Sequence, residues 1–153
     1  MINYRKAVLL ALATMIFTPT LVAEQAHHAS AYTYIISPKD GETVTSPVKV
    51  IFGLHGMGVA PAGVDRPNTG HHHLLVNAEI LPAMDQPIPS DDNHRHFGKG
   101  QTETLLFLEP GNHTLQLILG DKNHVPVSEN LISDQITITV AGSPSPPSGF
   151  SLQ

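Results

Sequence analysis

The chain has 153 residues, enough for one ordinary domain with tails but hardly for two. It has no cysteine, which removes disulfides, thiolate metal sites, iron–sulfur clusters and thiol nucleophiles. Hydrophobic residues make up 41% and charged residues 14%, the balance of a globular chain, and a net charge of −5 argues against a general nucleic-acid binder. Ten histidines outnumber the eight lysines and arginines, and 13 prolines with 12 glycines predict many turns and little long helix.

Residues 1–23 read as a secretory signal peptide. Arg5 and Lys6 give the positive start, Ala7 to Phe17 the apolar stretch, and Thr18-Pro19-Thr20 the break before cleavage after Ala23. The apolar stretch falls short of the ~20 residues that a spanning helix needs, so the mature chain is expected to have no transmembrane domain. Cleavage removes two cations and no acid, taking the net charge from −5 to −7. Export into a bacterial periplasm suits a small cysteine-free domain. Residues 24–31, which carry His27 and His28, read as a flexible leader.

From Tyr32 the pattern turns to strands. Tyr32 to Ser37 is β-prone and stops at Pro38, and Lys39-Asp40-Gly41-Glu42 makes a turn. Val48, Val50, Phe52 and Leu54 alternate with Lys49, Ile51 and Gly53, a period of two that marks a half-buried strand. Residues 56–70 read as loop, His71 to Asn77 as a strand, and 78–100 as a long connection that either crosses between sheets or carries function. Thr102 to Leu108 is a strand, with His113 to Leu119 expected as its hairpin partner across Glu109-Pro110-Gly111-Asn112. Residues 124–132 show no regular pattern. Gln135 to Val140 is the last strand, with Ile136, Ile138 and Val140 inward. The tail from Gly142, rich in Ser and Pro, is expected to be disordered. The whole predicts an all-β domain over 32–141: an immunoglobulin-like antiparallel β-sandwich of about seven short strands.

The chemistry concentrates in the histidines. His71-His72-His73 opens one strand, His94-Arg95-His96 ends the long connection, His113 begins another strand, and His124 lies in the loop after it. Alternation points His71 and His73 one way and His72 the other, toward the core with Leu74 and Val76. Two imidazoles at i and i+2 are about 7 Å apart at Cα, within reach of one ion. Imidazole without thiolate suits copper or zinc. The expected metal-ligand set is His71, His73, His96, His113 and His124. His72, His94, Gln101, Thr102, Glu103 and Asp121 are expected as a supporting polar network. A cupin-like set of His71, His73, Glu79 and His113 departs from that pattern in spacing. No nucleophile elbow, phosphate loop or H-E-x-x-H motif is present, so no catalytic residue is assigned.

Four blocks resemble the domain of unknown function 4399 family over roughly residues 55–140. They are Gly70-His71-His72-His73-Leu74-Leu75-Val76, His96-Phe97-Gly98-Lys99-Gly100-Gln101-Thr102-Glu103, Pro110-Gly111-Asn112-His113-Thr114-Leu115-Gln116-Leu117, and Gly120-Asp121 with His124 and Pro126. The resemblance implies a small exported β-rich domain with no established reaction, substrate or metal. The family's histidine pattern falls on His71, His72, His73, His96, His113 and His124. The chain departs from it at Val127, where a further His is frequent, and at Glu109, where Pro is frequent.

Three functions follow in order of expectation. The first is an exported non-enzymatic domain holding a transition-metal ion. The second is a structural or recognition module of the cell envelope, with an envelope protein or small ligand as partner and no metal. The third is a small metal-dependent enzyme, which would need an open coordination position and a pocket.

Overall fold

The computed structural model describes residues 31–142; the expected signal peptide, most of the 24–31 leader and the tail beyond Gly142 lie outside them. Nine strands follow in chain order: β1 (Tyr32–Ser37), β2 (Thr43–Val44), β3 (Val48–His55), β4 (Gly58–Val59), β5 (Thr69–Val76), β6 (His94–His96), β7 (Glu103–Leu106), β8 (Gly111–Gly120) and β9 (Ile136–Val140). A single 3-10 turn, Glu129–Leu131, is the one helical piece among the described residues. No helix among them is long and apolar enough to cross a membrane.

The strands form two sheets. The smaller has the order β1-β3-β7, and the larger runs β2-β9-β8-β5-β4 with β6 also paired to β5. Every pairing is antiparallel except β2 with β9 and β4 with β5. With β1, β3 and β7 taken as the A, B and E strands and β5, β8 and β9 as C, F and G, this is an immunoglobulin-type order with no strand D among the described residues. The first turn is held as its sequence suggests: Gly41 adopts a φ of 74°, and the Asp40 carboxylate accepts from the Thr137 backbone N–H at 2.8 Å.

Apolar residues from both sheets fill the space between them. Val48, Val50, Phe52 and Leu106 come from the small sheet, and Leu74, Val76, Leu115, Leu117, Ile138 and Val140 from the large one. The period of two read in β3 and β9 belongs to this inward set. A second, smaller cluster lies on the outer face of the large sheet. There Leu75 and Ile118 pack with Ile88, Ala78 and Ile132 from the connections that fold over it.

One expectation is corrected. The 102–108 and 113–119 segments do not form a hairpin, because β7 pairs with β3 while β8 pairs with β5 and β9. The Glu109-Pro110 turn instead crosses between sheets, so that Leu106 and Leu117 meet the same core from opposite sides. The long connection ends in β6, which pairs with β5, and Val76 N–H donates to Asn93 O at 2.9 Å. Residues 124–132 bridge to β8 through Gly120–Pro126 and Ile118–Ile132.

Leu117 is fully buried, whereas Leu105, on β7, is 56% exposed. Leu117→Ala should therefore lower unfolding free energy by about 2–5 kcal/mol. Leu105→Ala should stay within about 0.5 kcal/mol. Urea denaturation of the two variants checks this, and equal effects would contradict the assigned core.

Candidate metal centre

β5 supplies the centre of the site. It is covered on both faces, so all three of its histidines are buried. His72 turns into the space between sheets with Leu74 and Val76, its ring 5.2 Å from that of Phe52. His71 and His73 turn the other way, under the connections that cover the outer face, beside Leu75. Their Nε2 atoms are 3.0 Å apart.

Two further imidazoles reach that face. β6 runs antiparallel to β5 with His96 opposite His73. Phe97 N–H donates to His72 O at 3.0 Å, and the Phe97 ring enters the core against Phe52, so His96, one residue earlier, faces outward. His124 comes from the turn after β8. Asp121 shapes that turn, its carboxylate accepting from the Asn123 and Val125 N–H groups at 2.8 and 2.9 Å. His124 itself has a φ of 69°, a left-handed conformation sparsely used outside glycine, and its carbonyl accepts from Ile88 N–H at 2.8 Å.

The donor nitrogens of His71, His73 and His96 lie within 4.8 Å of one another. The His124 nitrogens stand outside that set, yet its ring centroid is 5.0 Å from that of His71, 4.8 Å from His96 and 5.9 Å from His73. His71 and His73 are buried, His124 is half-buried and His96 is exposed, so the cluster is closed below and reachable from one side.

Two glycines make room for it. A Cβ at Gly98 would collide with the His96 ring, and one at Gly120 would sit 3.0 Å from His73 Nε2. The surrounding loops are tied together: Ala62 N–H donates to Gly98 O at 3.0 Å, Gly63 N–H to Lys122 O at 3.1 Å, and Lys122 pairs with Asp65 at 2.6 Å.

Burial sets the protonation state. Desolvation, followed by repulsion from His124 and His96, lowers His71 to about 4, while the Asp121 carboxylate pulls the other way. Desolvation and then the neighbouring imidazoles lower His73 to about 3. Burial alone lowers His72 to about 4, and burial with His124 lowers His96. At neutral pH these rings are neutral, which is the form that binds metal. Both nitrogens of His72 and Nδ1 of His73 are buried without a protein hydrogen-bond partner, an arrangement that buried polar groups usually avoid.

The other expected residues lie elsewhere. His113 is separated from the cluster: β8 places it near Asn77, beyond the far end of β5, with Nδ1 3.0 Å from the Asn77 amide and Nε2 donating to Glu109 O at 2.8 Å. Glu79 is at that end too. His94 bonds the Asp91 carboxylate at 2.8 Å, holding Asp91 below the usual carboxylate range. Gln101 accepts from Lys99 N–H, Thr102 O accepts from Phe52 N–H, and Glu103 pairs with Lys49 at 3.1 Å on the small sheet. These groups hold local turns and edges and do not join the histidines in one network. Asp121 does reach them, through the turn that carries His124. The cradling glycines and the covering Ile88 went unassigned in sequence, although Gly98 follows His96 by two residues.

A family model described as Domain of unknown function (DUF4399) matches residues 50–141. Among solved structures, the fibronectin(III)-like modules of Clostridium thermocellum CbhA are similar at a TM-score of 0.36 and 14% identity, over 71% of this chain and 95% of theirs. No curated protein matches.

The lowered histidines fix the sign of the pH response. Above about 6.5 both folded and unfolded chains hold these rings neutral, whereas below it the unfolded chain takes up protons that His71, His72 and His73 refuse until about 4, 4 and 3. The metal-free chain should lose stability steadily from pH 6.5 downward. Urea midpoints measured across that range check it, and a midpoint that rises on acidification would contradict it.

Proposed function

This chain belongs to the domain of unknown function 4399 family, and we propose that it is an exported, non-enzymatic domain that holds a transition-metal ion through its clustered histidines. The observation that carries this reading is the convergence of His71, His73 and His96, with donor nitrogens within 4.8 Å of one another and no carboxylate in the set among the described residues. Neutral imidazole donors suit zinc and copper among the available ions. Burial keeps the donors deprotonated, so an entering ion displaces few protons at neutral pH. The signal-like residues 1–23 support placement in a bacterial periplasm, where such an ion would be met outside the cytoplasm.

A second reading, a recognition module of the envelope with no metal, draws on the 3.0 Å contact between His71 and His73, which one N–H of a neutral ring satisfies without an ion. The two separate experimentally. Chelator-free, tag-free protein should retain close to one zinc or copper ion per chain by elemental analysis, and its melting temperature should rise on adding the metal. Replacing His71, His73 and His96 together by Ala should abolish the rise, whereas His113→Ala should leave it intact. No bound ion and no rise in the native chain would favour the metal-free reading.

A further inference from the structure

Three imidazoles leave a first-row ion one position short of tetrahedral, and what fills that position decides what the site does. In a zinc site with bonds of about 2.0–2.1 Å, four imidazoles arranged tetrahedrally have ring centroids about 5.2 Å apart in all six pairs. A square-planar set with the same bond lengths has four pairs near ~4.5 Å and two near ~6.4 Å. The rings of His71, His73, His96 and His124 have six separations of 4.8, 5.0, 5.0, 5.1, 5.9 and 4.8 Å. Five lie within about 0.4 Å of the tetrahedral value; the sixth, His73 to His124 at 5.9 Å, is longer, but the opposite pair, His71 and His96 at 5.0 Å, is not the second long diagonal that a plane requires.

We propose that the ion is zinc(II) and that His124, its ring turned nearly in place so that a nitrogen faces the cluster, is its fourth ligand. The proposal rests on the histidine cluster holding an ion at all. His124 is suited to close the site because its backbone is already fixed. Its left-handed φ, the Asp121 turn beneath it and its bond from Ile88 leave a side-chain rotation as the one movement required. The Nε2 atoms of His71 and His73, 3.0 Å apart, and the rings cradled by Gly98 and Gly120 are set before the ion arrives.

The donor set selects the metal. Copper(I) is favoured by thiolate and thioether sulfur, and all four donors here are imidazole; copper(II) and nickel(II) favour tetragonal or planar geometry. Zinc has no geometric preference from its d-electrons and takes four nitrogen donors tetrahedrally. A four-coordinate ion held by protein alone has no position for an activated water, so the site holds zinc and does not hydrolyse with it.

The test loads the full exported chain with cobalt(II), whose visible bands are intense when four-coordinate and weak when six-coordinate, and then titrates zinc. Native protein should show intense bands that zinc removes at one equivalent. His124→Ala, with water in the vacated position, should change the position and shape of the bands and raise the zinc dissociation constant by at least about tenfold, the loss seen when even a ligand's hydrogen-bond partner is removed. His113→Ala should change neither. Weak cobalt bands in the native chain, or a His124→Ala variant matching native in both spectrum and affinity, would overturn the four-coordinate assignment. An ion still bound through His71, His73 and His96 would then preserve the metal-binding reading. Absence of any cobalt or zinc binding by the native chain would overturn both.

Discussion

Burial of β5 on both faces is the constraint from which the rest follows. A strand covered on one side presents alternate side chains to water, and a His-His-His run there would be an ordinary polar surface. Here the small sheet covers one side, and the 78–93 and 124–132 connections cover the other. His72 is thereby committed to the space between sheets, and His71 and His73 to a desolvated site beneath loops. Desolvation then keeps the rings neutral, and neutrality permits several imidazoles to crowd together without mutual charge repulsion.

The covering connections also deliver the remaining rings. β6 continues the large sheet along the edge of β5 and sets His96 opposite His73, while the Asp121 turn leaves β8 at Gly120, which pairs with His71. Two neighbouring strands thus bring His96 and His124 to the same end of the same face. Glycine at positions 98 and 120 is the complement of this crowding, since any side chain there would take the volume that the His96 and His73 rings occupy. Structure and candidate chemistry share their parts: the Asp121 carboxylate that closes a turn also positions a ring.

Alternation is a local property, so the features that depend on it were legible in the sequence. The inward sets of β3 and β9, the turn at Asp40-Gly41 and the opposed directions of His71 and His72 all follow from a period of two and from turn chemistry. Partner choice is not local. β7 and β8 read as a hairpin because a short Pro-Gly turn joins them, yet sharing one core from two sheets buries Leu106 and Leu117 together. The same limit governs the site. His113 and His124 are equally plausible ligands along the chain, and only the antiparallel register of β8 on β5 puts Gly120, and so the His124 turn, beside His71 while carrying His113 to the opposite end. β4 and β6 are too short to show a period, and their identity as strands comes from the edge of β5 that they complete.

The most direct measurement is a crystal structure of the chain grown with one equivalent of zinc, with data collected on both sides of the zinc absorption edge. The account predicts one anomalous peak on the outer face of the large sheet, about 2.0–2.1 Å from a nitrogen of each of His71, His73, His96 and His124. An anomalous map with no peak among those rings, or with its main peak beside His113 and Glu79, would contradict it.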